Sequence, residues 1–175
     1  MLLHHNYSVK QTSHLKNFIH AIQNEGIRMK WSDSPNWRDF AEGATDFYRN
    51  IVIILSEELN QLLQCYKKDG IKDKLFQTLI KERNQEYIPC IVMDKIRQCV
   101  QENLKEKVFT LHIVTLCDSE DVGEKLTKDF LQVHNFLERS NKYQIHNFTK
   151  VVSGNEDQFK SLVKSILLKT VTRLD

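Results

Sequence analysis

Five consecutive apolar residues constrain the fold more than any other feature of this sequence. They are Ile51, Val52, Ile53, Ile54 and Leu55. A strand without a polar face must be covered on both sides, as a central parallel strand is when helices pack on both faces of its sheet. Ser56 follows as a favourable helix cap, and Glu57 and Glu58 stand where negative charge suits the helix dipole. The sequence therefore predicts a central strand that leads directly into a capped helix.

Strand and helix patterns alternate on both sides of this run. Further strands are predicted at 2–7, 27–31 ("IRMKW"), 88–93 ("IPCIVM") and 108–114 ("VFTLHIV"). Helices are predicted over 13–25, 37–48, 57–69 and 72–83; Thr12 or Ser13 would cap the first, and Gly26 would end it. Parallel neighbours need a crossover between them, so the alternation predicts an α/β fold with an open, mainly parallel five-stranded sheet flanked by helices.

The pattern changes after Ser119. A long helix with Val122, Leu126, Phe130, Val133 and Leu137 on its apolar stripe is followed by a possible short strand at 143–148 and a last helix around Phe159 to Leu167. We interpret residues 118–175 as a helical carboxyl-terminal extension that packs on a core of residues 2–117. No low-complexity tract separates the two parts, so residues 1–175 are expected to form one domain.

Composition excludes several classes of protein. Apolar residues make up 41% and charged residues 27% of the chain, the balance of a folded globular domain. The longest apolar run is far shorter than the roughly 20 residues of a membrane span. A net charge of +2 by itself implies neither nucleic acid nor an acidic membrane as a partner. The four cysteines form no C-x-x-C pair, which favours reduced thiols and a cytoplasmic location.

Catalytic and cofactor motifs are absent from the sequence. The five glycines form neither G-x-G-x-x-G nor a P-loop, and the seven histidines lack the spacing of metal ligands, so core or surface histidine is the expected reading. Cys90 and Cys117 lie near predicted strand ends, but no base is indicated beside them, and buried structural thiols are expected. We therefore expect no catalytic residue, no metal and no cofactor.

The segment around Trp37 carries a family resemblance. A tryptophan leads an amphipathic helix, and "NIVIILSEEL" follows with its strand and Ser56. This order resembles the middle of SEFIR domains, the TIR-like cytoplasmic modules of interleukin-17 receptors and their adaptor. "YS" at 7–8, "EGIRMKW" and "LFQTLIKERNQEYIPCIVM" extend the resemblance over about residues 2–115. Only "SDSPN" separates Trp31 from Trp37, which favours SEFIR over typical TIR domains.

The resemblance implies a cytoplasmic signalling module that binds other SEFIR domains, with self-association as an option, and that itself contacts neither DNA nor a membrane. Docking is expected on the loop after the second strand and on the exposed faces of the 57–69 and 72–83 helices. The residues expected to contribute are Ser32, Asp33, Ser34, Pro35, Asn36, Glu57, Glu58, Lys67, Lys68, Asp69, Lys72 and Lys74. Charge on the helices would select the partner.

Two alternatives remain open. Some TIR domains cleave NAD with a glutamate in a W-C-x-x-E setting on the helix after the third strand. The corresponding helix here has Cys65 without that tryptophan or glutamate, and Glu57 and Glu58 come too early. The basic residues Lys67, Lys68, Lys72 and Lys74 could instead bind RNA, although Asp69 and Asp73 are interleaved with them.

Overall fold

A computed structural model describes residues 2–3, 9–27, 43–69, 88–102, 108–117, 119–140, 142–149 and 156–171. Within these ranges the helices are α1 (Val9–Asn24), α2 (Ala44–Phe47), α3 (Glu57–Asp69), α4 (Ile88–Gln101), α5 (Glu120–Val133), a 3-10 helix (Asn135–Arg139) and α6 (Glu156–Val171). The strands are β1 (Leu2–Leu3), β2 (Asn50–Leu55), β3 (Thr110–Cys117) and β4 (Tyr143–Thr149). The α/β class is as predicted.

All pairs of neighbouring strands run parallel, in the order β1-β2-β3-β4. Six residues of β2 pair with β3, and seven residues of β3 pair with β4. The two-residue β1 joins the other side of β2, where Leu3 pairs with Ile53. As predicted, β2 is a central strand, and Ile51 to Leu55 are all buried because helices cover both of its faces.

The helices divide into two layers, and the alternation of side chains along the strands decides which layer each residue meets. On one face, Ile51, Ile53 and Leu55 pack with α2, α3, α4 and α5. On the other face, Val52 and Ile54 pack with α1 and α6. The first and last helices therefore share one face of the sheet.

An aromatic cluster joins α1, α6 and the last strand. The ring centroid of Phe18 lies 5.7 Å from that of Phe148 and 6.2 Å from that of Phe159. Such tilted pairs stabilise by about 0.5–1.5 kcal/mol each beyond their buried area. The cluster holds α1 and α6 together over β4.

The prediction of a strand at 88–93 is wrong, because these residues begin helix α4. Pro89 lies in its first turn, where the missing N–H breaks no helical hydrogen bond. Burial then recurs at helical spacing through Val92, Ile96 and Cys99. The guanidinium of Arg97 lies 2.6 Å from the carboxylate of Asp94 one turn earlier. Residues 88–93 taken alone fit a strand, and the helical spacing becomes visible only when the pattern is followed to residue 99.

The carboxyl-terminal part also differs from its prediction. The described part of this region belongs to the main sheet, since β4 pairs with β3 and α5 is the crossover helix between them. The predicted long helix ends at Val133, and a separate 3-10 helix buries Leu137. The last helix is present as α6.

The first helix is also longer than predicted. It begins at Val9, so Thr12 and Ser13 lie inside it and do not cap it, while Gly26 follows its end with a left-handed φ of 77°. Residues 9–12 contain neither Gly nor Pro to stop the helix. The predicted strand at 27–31 and helix at 72–83 lie essentially outside the described residues.

Candidate functional site

Helix α3 begins at the carboxyl end of the central strand. The backbone N–H of Leu59 donates to Oγ of the buried Ser56 at 3.1 Å, so Ser56 caps the helix as predicted. Glu57 and Glu58 occupy the first turn and are exposed. Their charge faces solvent at the positive end of the helix dipole, which stabilises the helix start.

The inner and outer faces of α3 differ sharply. Leu59 and Leu63 are buried against the sheet. Gln61 and Gln64 are exposed and follow Glu57 at i+4 and i+7, so these three residues form one outward line. This outward face is hydrophilic, carries negative charge at its amino-terminal end and is exposed to solvent.

The other predicted interaction residues lie wholly or in their side chains outside the described part of the structure. The backbone of Lys67, Lys68 and Asp69 is helical and continues α3, but their side chains lie outside the described part of the structure. Lys72, Lys74 and Trp37 also lie outside the described residues, as does the predicted loop of Ser32, Asp33, Ser34, Pro35 and Asn36. Glu57 and Glu58 are therefore the predicted interaction residues whose side chains the structure describes.

A buried amide ties α3 to α5. Nδ2 of Asn60 donates to the carbonyl oxygen of Leu126 at 3.1 Å. Asn60 is 5% exposed, and its Oδ1 has no hydrogen-bond partner among the described residues. The contact fixes the position of α3 relative to α5, although sequence reasoning assigned no role to this asparagine.

A row of polar side chains crosses the sheet beneath α6. Nδ2 of Asn50 donates to the carbonyl oxygen of Ile166 at 3.2 Å, so Oδ1 of Asn50 is the acceptor for Nε2 of His112 at 3.0 Å. Nδ1 of His112 then faces Nε2 of His146 at 3.3 Å. We assign both imidazoles as neutral with hydrogen on Nε2, because this assignment gives every contact one donor and one acceptor.

Burial disfavours the charged form of His146. His112 is fully buried, and burial lowers the pKa of His146 to about 4. The sequence predicted core or surface histidines, and His112 is a core histidine. The pairing of His112 with His146 could not be predicted, since it depends on the register between β3 and β4.

A second polar contact joins β3 to β4 where α5 packs on the sheet. The hydroxyl of Thr115 donates to Oδ1 of Asn147 at 2.8 Å. Gly123 lies against this pair, and a Cβ at this position would be 2.9 Å from Oγ1 of Thr115. The close approach of α5 to β3 therefore depends on a residue without a side chain.

Two of the three described thiols are buried. Burial, with a smaller contribution from Asp94, raises the pKa of the fully buried Cys90 well above its usual range. Sγ of Cys99 donates to Oγ1 of Thr45 at 3.4 Å and joins α4 to α2. Cys117 is half-buried at the end of β3. The expectation of buried thiols holds for Cys90, on a helix and not at a strand end.

The described residues contain no group of three or more potential metal ligands. No described helix combines the length and apolar character that a membrane span requires. Comparison with known proteins gives no matching family model, no matching curated sequence and no matching solved structure. A functional assignment must therefore rest on the residues and their arrangement.

Proposed function

We propose that this chain is a SEFIR-type, TIR-like interaction module that docks on other SEFIR domains and so links an interleukin-17-type receptor to its adaptor in the cytoplasm. The proposal combines the resemblance around Trp37 with the layering of the helices and the exposed outer face of α3. The division of the helices between the two faces of the sheet is the strongest support, because it restricts the order of the strands independently of any sequence motif.

Helix α1 lies on the opposite face of the sheet from α3, α4 and α5. Right-handed crossovers that advance steadily through the order β1-β2-β3-β4 would leave all crossover helices on one face. The flavodoxin-like order 2-1-3-4-5, which TIR-like domains share, instead has its first and last helices on one face. In this proposal β1 to β4 are strands 1, 3, 4 and 5, and the predicted strand at 27–31 is strand 2.

The outer face of α3 is the proposed docking surface. Glu57, Gln61 and Gln64 are exposed along one line, whereas the opposite side of the helix is committed to the core. An acidic start followed by Lys67 and Lys68 gives the helix opposite charges at its two ends, which can orient a partner with complementary charges.

A TIR-like NAD hydrolase is the alternative from another class. It needs a glutamate facing a cleft on the helix after the third strand, but Glu57 and Glu58 are exposed in the first turn of α3. Incubation of the purified protein with NAD, followed by measurement of nicotinamide, separates the two functions. If the protein hydrolyses NAD and substitution of one acidic residue abolishes this activity, an NAD hydrolase replaces the interaction module as the proposed function.

Charge substitutions on α3 test the docking surface. Binding to purified SEFIR domains of interleukin-17 receptors and their adaptor is measured for Glu57→Lys/Glu58→Lys and for Lys67→Glu/Lys68→Glu/Lys72→Glu. Each is expected to weaken binding by on the order of tenfold, about 1.4 kcal/mol. Glu25→Lys is the matched control, because Glu25 is exposed beside α1 on the other face of the sheet. Unchanged binding by both sets of folded variants contradicts the assignment of this face.

A further inference from the structure

The outer edge of β4 carries backbone groups that point away from the rest of the described sheet. β4 is the last strand of the described sheet. The N–H of Leu111 donates to the carbonyl of Lys142 at 2.7 Å, so the backbone groups of even-numbered residues along β4 point toward β3. The backbone N–H and C=O groups of Tyr143, Ile145 and Asn147 consequently point outward.

Among the residues that the structure describes, β4 carries none of the usual protection of an edge strand. Natural proteins place lysine, proline or bulges on such edges to prevent pairing with other chains. The sequence of β4, "YQIHNFT", contains no charged residue and no proline, and Ile145 is 41% exposed at its middle. Lys142 directly precedes the strand, but its Nζ lies 4.9 Å from the ring centroid of Phe109.

Clefts flank the edge on both faces of the sheet. A cleft of about 630 Å³ on the α5 side includes Glu124, Lys128 and Glu138 in its lining. A cleft of about 560 Å³ between β4 and α6 includes Glu120 and His146. Ile145 and Asn147 line both clefts. A strand added to β4 would direct its alternate side chains to opposite faces, one set toward each cleft.

Charge indicates which strand would fit. The described linings of the two clefts contain three carboxylates (Glu120, Glu124 and Glu138) and one ammonium (Lys128). We propose that β4 binds an extended segment of a partner protein that carries Lys or Arg at alternate positions, by strand addition to the outer edge of the sheet. Backbone hydrogen bonds to Tyr143, Ile145 and Asn147 supply affinity, and the basic side chains face the cleft on the α5 side, which contains two of the three carboxylates and supplies selectivity. This surface is distinct from the α3 face and does not depend on SEFIR recognition.

A pair of synthetic peptides tests the proposal. One alternates Lys and Val over seven residues, and the other has Glu in place of Lys. Both peptides carry N-methyl groups on alternate residues along one edge, which prevents the peptides from pairing with one another into sheets. The Lys peptide is expected to bind at least roughly tenfold more tightly, and its affinity should fall as salt rises. Equal binding of the two peptides, or binding of neither, overturns the proposal.

Ile145→Pro is the decisive variant. It removes an N–H that points away from β3, so the β3–β4 pairing is retained, and proline is tolerated at such positions of edge strands. We expect at least roughly tenfold weaker binding of the Lys peptide, whereas Ile145→Thr, which retains the N–H, should bind like the wild type. Equal affinity of Ile145→Pro and the wild type overturns strand addition. If Ile145→Pro fails to fold, Glu124→Lys/Glu138→Lys, which leaves the backbone intact, must show the same loss.

Amide hydrogen exchange locates the contact. In the free protein the amides of Ile145 and Asn147 should exchange quickly, and those of Gln144 and His146 slowly. The bound Lys peptide should slow the exchange of the Ile145 and Asn147 amides. Peptide binding without this slower exchange contradicts strand addition. A protein dimer that Ile145→Pro dissociates would show that a second copy, not a basic segment, occupies the edge. Loss of SEFIR binding without loss of peptide binding would overturn only the α3 proposal.

Discussion

Gly123→Ala provides a sharp test of how α5 is docked on the sheet. Alanine is favoured over glycine within a helix by about 1 kcal/mol, so propensity alone predicts a more stable protein. The added Cβ, however, would lie 2.9 Å from Oγ1 of Thr115. Thr115 is fully buried on β3, and its hydroxyl is held by Asn147 at 2.8 Å. Overpacking at such a site costs about 1–3 kcal/mol, and we expect a net loss of about 1 kcal/mol.

In a Thr115→Ala background, Gly123→Ala is expected to change the free energy of unfolding in the opposite direction. Thr115→Ala removes the clashing oxygen, and Cβ of residue 115 lies 3.6 Å from the position of the new methyl group, which is an ordinary contact. Gly123→Ala should then stabilise by about 1 kcal/mol, giving a coupling of about 2 kcal/mol between the two sites. Urea unfolding of the four proteins at a common m-value measures these quantities. If Gly123→Ala has the same effect in both backgrounds, the described contact does not exist.

Three further predictions follow from single contacts. Ser56→Ala removes the cap of α3 and should cost about 1 kcal/mol in urea unfolding, whereas Ser56→Thr should retain most of it; equal stability of Ser56→Ala and wild type contradicts the cap. Since the pKa of His146 falls from 6.5 when unfolded to about 4 when folded, the unfolded state binds more protons between these values, and stability falls as pH decreases through them. Unfolding at pH 7 and 5 should show a loss on the order of 2 kcal/mol from this group, absent in His146→Gln. Cys117 should react with iodoacetamide at least roughly tenfold faster than Cys90, as peptide mass spectrometry can show, because burial raises the pKa of the Cys90 thiol.

Local patterns were sufficient to predict the centre of the fold. The run from Ile51 to Leu55 is apolar on both faces, and no amphipathic helix or half-exposed strand explains it. Ser56, Glu57 and Glu58 mark the start of α3 through capping and dipole effects that act within one turn. These signals lie within a few residues of the structure that they produce, and the sequence contains all of them.

Pairing across the sheet could not be predicted in the same way. A short apolar run such as "IPCIVM" fits a strand or the first turns of a helix, and only its continuation through Ile96 and Cys99 indicates α4. β4 resembled a minor strand of an extension because nothing local specifies β3 as its neighbour. The contact between His112 and His146 depends on that same register.

The site was predicted only in part for a similar reason. Exposure of Glu57 and Glu58 follows from the helical period, but the edge of β4 becomes visible only once the order of the strands is known. Ile145 alternates with polar neighbours as in any half-buried strand. Its exposure at an unprotected edge is a property of the assembled sheet.

Direct binding measurements test the proposed recognition of SEFIR domains most simply. Isothermal titration of this protein with purified SEFIR domains of interleukin-17 receptors and their adaptor, with a TIR domain as the control, measures affinity and stoichiometry together. We predict saturable binding to at least one SEFIR domain and none to the TIR domain. Absence of heat with every SEFIR domain at concentrations up to about 1 mM, which corresponds to about 4 kcal/mol of binding free energy, would contradict the account.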